Sequence, residues 1–301
     1  MIIKNYLRDP LKYGILSLSL RGYLRWLPDK TYLKWNYWAN LKKRLNLKNP
    51  KTFNEKLQWL KLYAFQPAYT QMVDKYAVRK IIEETIGQEY LVPLVGGPWD
   101  CVDEVDFDAL PDQFVLKVTH DSGGLVICRD KSKLDIEAAK AKLKRGMNRD
   151  YYLQSREKPY KDVPHRIIAE KYMQDGDRTV LPVYKIFNFN GKPELIQSIQ
   201  NDKTKDESID YFDTQWNRLD LRQNFPNSKQ PLPKPQQLNE MLELAAAVSK
   251  DIPFLRTDWY TINGKVYFSE FTFYSDAGMA AFEPASWDDR LGALIRLPID
   301  K

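Results

Sequence analysis

Residues 256–273 have the sequence RTDWYTINGKVYFSEFTF, in which two alternating, aromatic-rich runs flank Asn263 and Gly264. An Asn-Gly pair between such runs is a strong signal of a β-hairpin. The length of the turn decides which side chains share a face, because a shift of one residue turns every side chain to the other side of the sheet. A two-residue turn would place Asp258 opposite Ser269 and Glu270 on the other face.

A three-residue turn, with Gly264 in a bulge, predicts a different hairpin. It places Arg256, Asp258, Glu270 and Thr272 on one face and leaves the alternate positions to pack. Two carboxylates and a hydroxyl on one face suit a hard divalent cation such as Mg²⁺, which prefers oxygen ligands and often bridges to phosphate. We therefore expect a bulged three-residue turn and a metal site formed by Asp258, Glu270 and Thr272.

A second candidate segment is an alternating strand over residues 114–119 that contains Lys117 and runs into a turn with Ser122, Gly123 and Gly124. Glycines let backbone N–H groups approach an anion closely, and a lysine in the same cleft adds a positive charge. A third segment, residues 166–173, is predicted to be a buried strand whose last residues offer an open backbone edge to a purine.

The rest of the chain predicts helices first and strands in hairpins later. Thr52 and Glu55 form a capping box that begins a helix. Further helices are expected at residues 71–86, 135–146 and 236–250, and residues 201–234 are expected to form a long loop. Because strands and helices do not alternate regularly, the predicted fold class is α+β, with mostly antiparallel sheets.

Charge is concentrated near the beginning of the 301-residue chain. Residues 1–50 contain eleven Lys and Arg against two Asp, whereas the whole chain has a net charge of +6. Eight Tyr and Trp lie in the same segment, and basic residues interleaved with such rings suit a membrane surface. The segment is therefore expected either to pack on the core as a helical extension or to contact a membrane. Without a recognised nucleic-acid module, we expect no nucleic-acid partner.

Two cysteines and two histidines exclude a zinc-finger framework and a disulfide scaffold. The longest apolar run, residues 14–20, is too short to span a bilayer, and no cleavage site follows it. These features predict a cytoplasmic protein, with residues 1–50 available for peripheral contact at the inner face of the cytoplasmic membrane.

Six ordered blocks resemble the TupA-like ATP-grasp family of bacterial surface-polysaccharide gene clusters, whose members are often labelled glycosyltransferases. The blocks lie at residues 52–63, 74–79, 110–117, 168–172, 184–193 and 256–273. The resemblance implies an ATP-grasp fold in which two α+β lobes clasp ATP. The expected regions are a basic aromatic helical extension (1–50), a helical N-terminal region (51–110), a small lobe with a glycine lid (111–173) and a large lobe with the metal site (174–301).

The resemblance also implies roles for individual residues. In the small lobe, Lys117 resembles the lysine that meets the α- and β-phosphates of ATP, and Ser122, Gly123 and Gly124 match the lid over the triphosphate. The hinge that receives adenine is matched by Glu170, Lys171, Tyr172 and Met173. In the large lobe, the matches are Lys185 as a phosphate or substrate lysine, Arg256 as the charge-stabilising arginine, and Asp258, Glu270 and Thr272 as the Mg²⁺ site.

Two positions depart from the family pattern. Asp121 stands in the lid where the family usually has glycine, and an acid there would oppose phosphate unless it turns away. Val183 stands where the family usually has aspartate before Tyr-Lys, which removes the usual partner of Lys185.

The reaction that the resemblance implies joins a carboxylate to an amine through an acyl phosphate, with ATP and Mg²⁺. In a polysaccharide setting, the expected partners are a carboxylated sugar or glycan acceptor, such as a uronic acid, and an amino acid or small amine. The alternatives are a glycosyltransferase that uses a nucleotide sugar, an ATP-dependent sugar kinase, and a polysaccharide-binding protein without turnover.

Overall fold

A computed structural model describes residues 9–121, 123–176, 181–202 and 204–299. Its helices are α1 (Pro10–Leu20), α2 (Asp29–Leu41), α3 (Phe53–Tyr63), α4 (Ala68–Val73), α5 (Val78–Thr85), α6 (Ile136–Met147), α7 (Tyr152–Ser155), α8 (Leu238–Val248) and α9 (Ser286–Leu294). Its strands are β1 (Leu94–Trp99), β2 (Phe114–Val118), β3 (Leu125–Cys128), β4 (Ile167–Lys171), β5 (Val183–Phe189), β6 (Lys192–Gln200), β7 (Ser208–Phe212), β8 (Phe254–Ile262) and β9 (Lys265–Thr272).

The strands form two antiparallel sheets. The smaller sheet has the order β1-β4-β2-β3 and the larger has the order β7-β6-β5-β8-β9. Phe114, Leu116 and Val118 of β2 are buried in a core beneath the smaller sheet, as their alternation predicts. The larger sheet has its own core, in which Phe53 of α3 packs against Phe187 and Phe254. The predicted α+β class and the antiparallel pairing are confirmed.

Two predicted elements differ from the structure. The helix expected over 71–86 is broken at Asp74, whose carboxylate accepts hydrogen bonds from the backbone of Tyr76 at 2.9 Å and from Arg166 at 2.6 Å. The expected loop 201–234 contains β7, which pairs with β6 at the edge of the larger sheet.

The described part of the N-terminal extension packs on the rest of the chain. Tyr32 and Tyr37 of α2 are buried in a small core that includes Met279 from the far end of the sequence. The Tyr32 hydroxyl donates to the carbonyl oxygen of Gln154 at 2.8 Å. The side chain of Trp26 is nevertheless 75% exposed, so the extension presents aromatic surface to solvent as well.

Within the described residues, each helix falls short of the length and apolar character that crossing a bilayer requires.

Candidate active site

The β8–β9 hairpin turns through two residues. Asn263 and Gly264 have φ values of 50° and 76°, and Ile262 pairs directly with Lys265. Positive φ at both central positions is the conformation that Asn-Gly favours in a tight hairpin. The predicted three-residue turn is therefore wrong.

A bulge inside β9 produces the register that the turn was expected to produce. Trp259 pairs with Phe268, but Asp258 pairs with Glu270, so Ser269 is an extra residue on β9. A β-bulge of this kind shifts one strand by a residue and reverses which face the later side chains occupy. We call the set that results the hairpin face: Arg256, Asp258, Glu270 and Thr272, all of which line one cleft.

Packing on the other side of the hairpin supports this register. Trp259 and Phe271 are fully buried, and Phe268 contacts both, with ring centroids 5.6 Å and 4.6 Å apart. Burial of these large rings stabilises the strand orientation, because a register shift of one residue would move them into the polar cleft. The hairpin face is thus fixed by the apolar residues behind it.

Arg256 is the central charge of the hairpin face. Its guanidinium donates two hydrogen bonds to the carboxylate of Asp258, each 2.8 Å long, and lies 3.7 Å from Glu270. Burial disfavours its charge, but Asp258 and Glu270 outweigh that effect and raise the pKa of Arg256. A permanently protonated arginine therefore lies at the base of the cleft.

Lys185 enters the cleft from β5, next to β8. It pairs with Asp258 across the two strands, and its Nζ lies 3.5 Å from the Asp258 carboxylate. Asp258 thus supplies the carboxylate that Val183 cannot. The departure at position 183 leaves Lys185 in the cleft with an acidic partner.

Lys117 lies in the same cleft and belongs to the smaller sheet. Its Nζ lies 2.5 Å from Glu170 on β4, and the guanidinium of Arg79 lies 3.7 Å from the same carboxylate. Burial lowers the pKa of Lys117, but the charges of Glu170, Tyr260 and Glu270 and the hydrogen bond to Glu170 together outweigh burial and raise the pKa. Lys117 therefore remains a cation, held in place by Glu170.

The structure does not show the open strand edge that the sequence predicted at the hinge. β4 is an interior strand that pairs with β1 and β2, and the Lys171 N–H donates to the carbonyl oxygen of Pro93 at 2.8 Å. The backbone beyond β4, at Tyr172 and Met173, lies outside these ladders. The edge is therefore restricted to the two residues that follow β4.

The lid is described only in part, since Ser122 lies outside the described residues. A Cβ on Gly124 would lie 2.5 Å from the Val118 side chain, so glycine is required there for close packing. Asp121 turns its carboxylate to Arg149 at 3.1 Å, while its carbonyl oxygen accepts from Lys75 at 2.9 Å. The charge of the acid that interrupts the lid motif is therefore balanced by Arg149.

Lys75 is a cleft residue that sequence reasoning missed. It lines the cleft with Lys117, and burial lowers its pKa. The signal was available, because Lys75 lies in the second of the six sequence blocks, but nothing in that helix pattern indicated that its amine would reach the lid.

A second missed feature is the support of the cleft floor by α3. Residues Ser275–Gly278 line the floor in part, and Asp276 and Ala277 have φ values of 49° and 55°. The buried amine of Lys61 donates to the carbonyl oxygens of Ala277 at 2.8 Å and Ser155 at 3.0 Å. Burial lowers the pKa of Lys61 to about 8. These bonds hold two left-handed residues in position, which explains a buried lysine in an apolar helix pattern.

Together these residues enclose a polar cavity of about 630 Å³ between the two sheets. Its cations are Lys12, Lys75, Lys117, Lys185 and Arg256, and its acids are Asp121, Glu157, Asp202, Asp258, Glu270 and Asp276. The volume lies within the range of small-molecule and cofactor sites. Such a mixture of charges suits a polyanionic ligand bound with a divalent cation.

The hairpin face also fits a magnesium ion. Among the described residues, no group of three or more His, Cys, Asp and Glu side chains could hold a metal alone. Mg²⁺ in nucleotide sites commonly uses one or two carboxylates and takes other ligands from phosphate and water. Glu270, whose side chain is 38% exposed at the cleft, fits that pattern, with Asp258 and Thr272 beside it.

A pH-dependent stability is expected from His120, which is buried directly before the lid. Its ring stacks on His165 with centroids 3.5 Å apart, and its Nε2 donates to the Arg149 carbonyl oxygen. Burial, and then the charge of His165, lower the pKa of His120 from 6.5 to about 4. Between these values the unfolded chain binds the proton and the folded chain does not, so stability falls as pH falls.

The expected loss is about 3 kcal/mol once the pH is below 4. Melting temperatures of wild type and His120→Gln, measured from pH 7 to pH 4, test this prediction. The variant should lose less stability over that interval. If the melting temperatures of the two proteins fell equally between pH 7 and pH 4, His120 would not be the source of the pH dependence.

The fold and the cleft together indicate the class of protein. Two antiparallel sheets enclose a site that contains lysines, a buried arginine and paired carboxylates. The chain belongs to the TupA-like ATP-grasp family, whose model matches residues 55–296. The predicted family and the predicted ATP-grasp fold are confirmed by this match.

Solved structures similar to this chain include three from distant proteins. The D-alanine–D-alanine ligase of Bacillus anthracis complexed with ATP is 17% identical over 67% of this chain and 55% of that chain, with a TM-score of 0.41. The ligase of the same name from Helicobacter pylori is 14% identical over 81% and 69%, with a TM-score of 0.42. The N5-carboxyaminoimidazole synthase of Aspergillus clavatus is 12% identical over 67% and 44%, with a TM-score of 0.38.

These structural similarities are too distant to assign an activity. The assignment of the chain to its family rests on the match to the family model. The chain spans little more than half the length of the Bacillus anthracis enzyme. No curated protein matches the sequence.

Proposed function

We propose that the protein is an ATP-dependent carboxylate–amine ligase. A carboxylate oxygen attacks the γ-phosphorus of ATP, the bond to ADP breaks, and an acyl phosphate forms. The amine then attacks the acyl carbon, phosphate leaves, and the nitrogen loses a proton as the amide forms. The observation that carries the proposal is the convergence of the hairpin face with Lys117 and Lys185 in one cleft.

The cations of the cleft have distinct roles in this reaction. Lys117 projects from the smaller sheet and Lys75 from the turn between α4 and α5, and both bind the phosphates of ATP. Arg256 and Lys185 neutralise charge on the phosphoryl group as it is transferred. Phosphoryl transfer needs positioning and charge stabilisation more than acid–base chemistry, so a site without an evident proton relay suits it.

The acids of the hairpin face hold the magnesium ion that accompanies ATP. Glu270, Asp258 and Thr272 are its protein ligands, and the ion neutralises phosphate charge when bound. The two hydrogen bonds from Arg256 orient the Asp258 carboxylate. This acid is therefore held in place before any ligand binds.

The adenine ring binds at the segment that follows β4. Glu170 and Lys171 end that strand, and Tyr172 and Met173 supply the backbone groups that face the base. The next residues, Gln174 and Asp175, hydrogen-bond to Asn263 in the turn of the larger sheet, so the hinge lies where the two sheets meet.

The carboxylate substrate is a uronic acid in a sugar or glycan, and the amine is an amino acid or a small amine. The support for this assignment is the polysaccharide setting of the family that the chain resembles, together with a cleft that offers several cations to acidic ligands. The setting in capsule or exopolysaccharide synthesis is part of the proposal.

An assay of ADP release tests the reaction class. ADP release that requires both a uronic acid and an amine is expected, and a labelled carboxylate oxygen should appear in the released phosphate. Release with an alcohol acceptor alone would identify a kinase. Consumption of a nucleotide sugar without ATP would identify a glycosyltransferase. If the protein bound no nucleotide, the remaining alternative would be a polysaccharide-binding protein without turnover.

We also propose that the extension of residues 1–50 brings the enzyme to the inner face of the cytoplasmic membrane. Tyr23 and Trp26 are 63% and 75% exposed, and Arg21 and Arg25 lie beside them in sequence. Exposed rings with neighbouring cations suit an anionic lipid surface. The protein itself is placed in the cytoplasm, where ATP is available.

Replacement of Trp26 by Ala is expected to weaken binding to phosphatidylglycerol vesicles by about fivefold, because the exposed ring would no longer insert among headgroups. Vesicle co-sedimentation measures this change. Phe225→Ala, which removes a 39% exposed ring elsewhere, is the matched control and should bind like wild type. Equal binding by all three proteins would refute the membrane contact.

A further inference from the structure

A second cavity, of about 570 Å³, lies on the outer side of the lid. Residues 20–25, which follow α1, form one wall, and the C-terminal half of α6 forms the other. Gly123 of the lid and Leu153 of α7 complete the enclosure. We call this cavity the basic cleft; Gly123, Arg21 and Arg25 of its lining have roles above, but the cavity itself has none.

The basic cleft has a surplus of positive charge. Its lining contains five cationic side chains, Arg21, Arg25, Lys142, Arg145 and Arg149, and two acids, Asp121 and Asp150. Each acid is already paired, Asp121 with Arg149 at 3.1 Å and Asp150 with Arg25 at 3.5 Å.

Three cations therefore remain. Within the described part of the chain, Arg21, Lys142 and Arg145 form no ion pair, although Lys144 next to them pairs with Asp103 at 3.4 Å. Like charges gathered in a concavity repel one another unless an anion binds among them. The basic cleft thus has three cations available to a ligand that carries several negative charges.

The basic cleft lies next to the active-site cleft. Helix α1 borders both, because Lys12 and Leu16 line the active-site cleft and Leu20 lines the basic cleft. Asp121 borders both as well. Lys12 and Arg21 are nine residues apart, which corresponds to about 14 Å along a helix. One extended molecule of that length can occupy both clefts.

We propose that the basic cleft binds a polycarboxylated chain whose reacting carboxylate lies in the active-site cleft. The inference rests on the proposed ligase function, which requires a carboxylate substrate there. Neighbouring carboxylates of the same chain then bind Arg21, Lys142 and Arg145. The acceptor is accordingly an acidic polymer, and its length contributes to its recognition.

The shape and lining favour a polymer over the other polyanions. A bilayer surface is broad, whereas these cations are exposed side chains that line an open concavity, and the exposed Trp26 is not among the residues that line it. The described lining has no aromatic side chain on which a nucleic-acid base could stack. A flexible chain of carboxylates fits both features.

Binding of hexagalacturonate, without ATP, tests the proposal. Wild type should bind the hexamer more tightly than galacturonate, and binding should weaken between about 50 and about 200 mM salt, as screened charge contacts do. The triple variant Arg21→Gln, Lys142→Gln, Arg145→Gln should bind the hexamer about tenfold more weakly.

A matched control is the triple variant Lys192→Gln, Lys234→Gln, Lys250→Gln, which removes the same charge from exposed positions elsewhere. It should bind the hexamer within about twofold of wild type. Equal losses in both variants, hexamer affinity no greater than monomer affinity, or a loss of phosphatidylglycerol vesicle or duplex DNA binding in the first triple variant that exceeds its loss of hexamer binding would overturn the proposal.

Affinity for ATP separates this inference from the proposed function. Both triple variants should bind Mg·ATP like wild type, because their substitutions lie outside the active-site cleft. Loss of hexamer binding with intact ATP binding supports the basic cleft. If wild type binds ATP normally but does not bind the hexamer, the proposed role of the basic cleft is refuted and the ligase function is not. Failure of wild type to bind ATP refutes the proposed function.

Discussion

Glu270→Gln is expected to lower the rate of ADP formation by about a thousandfold or more, with the fold intact. Glutamine keeps the shape of the side chain but removes the charge that would hold Mg²⁺ beside the γ-phosphate. It also withdraws one of the two acids near Arg256, which lies 3.7 Å from Glu270. Initial rates of ADP release at saturating ATP, measured over a range of Mg²⁺ concentrations, test this prediction.

Glu194→Gln is the matched control, since Glu194 is exposed on β6 and lies outside the cleft residues. It should retain the wild-type rate, and both variants should melt like wild type within a few degrees. If Glu270→Gln kept the full rate, the assignment of the metal site to the hairpin face would fail.

Lys117→Ala is expected to weaken ATP binding by about a hundredfold, because a buried charge that meets the phosphates is lost. The same substitution leaves the Glu170 carboxylate without its partner at 2.5 Å. Breaking one side of a buried ion pair typically costs about 3–5 kcal/mol of stability. Reduced ATP affinity in this variant alone would therefore be ambiguous.

The double variant Lys117→Met, Glu170→Gln separates the two effects. Replacing both partners removes the stranded carboxylate, so much of the lost melting temperature should return. ATP affinity, measured by titration calorimetry, should stay low because the cation is still absent. Recovery of ATP affinity along with stability would show that Lys117 acts only as a structural partner of Glu170.

The sequence predicted those parts of the fold that follow from local patterns. The capping box is present, since the Thr52 hydroxyl accepts from the Glu55 N–H at 3.2 Å and the Glu55 carboxylate accepts from the Thr52 N–H. The alternation in β2 and the hairpin signal at Asn263 and Gly264 were also reliable. Each depends on residues within a few positions of one another.

The bulge at Ser269 could not be predicted in the same way. Its position depends on where Trp259, Phe268 and Phe271 find space in the core behind the sheet, which is set by distant residues. The expected grouping of the hairpin face is present, but the reason given for it, a three-residue turn, was wrong. Register in this hairpin is decided by packing as well as by the turn.

Long-range polar contacts were equally hidden from sequence. No local pattern indicates a role for Lys61, yet it lies buried and supports the floor of the cleft through the Ala277 carbonyl oxygen. Asp121 was expected to oppose phosphate, and Arg149 turns it away. Both contacts join segments far apart in the chain, so only the fold reveals them.

Crystals grown with Mn²⁺ and a non-hydrolysable ATP analogue would test the central claim most directly, because the anomalous signal of manganese locates the metal independently of the nucleotide. The account predicts a manganese peak beside Glu270 and Asp258, with the triphosphate between Lys117 and Lys185. A nucleotide bound outside this cleft, or a metal remote from the hairpin face, would contradict it.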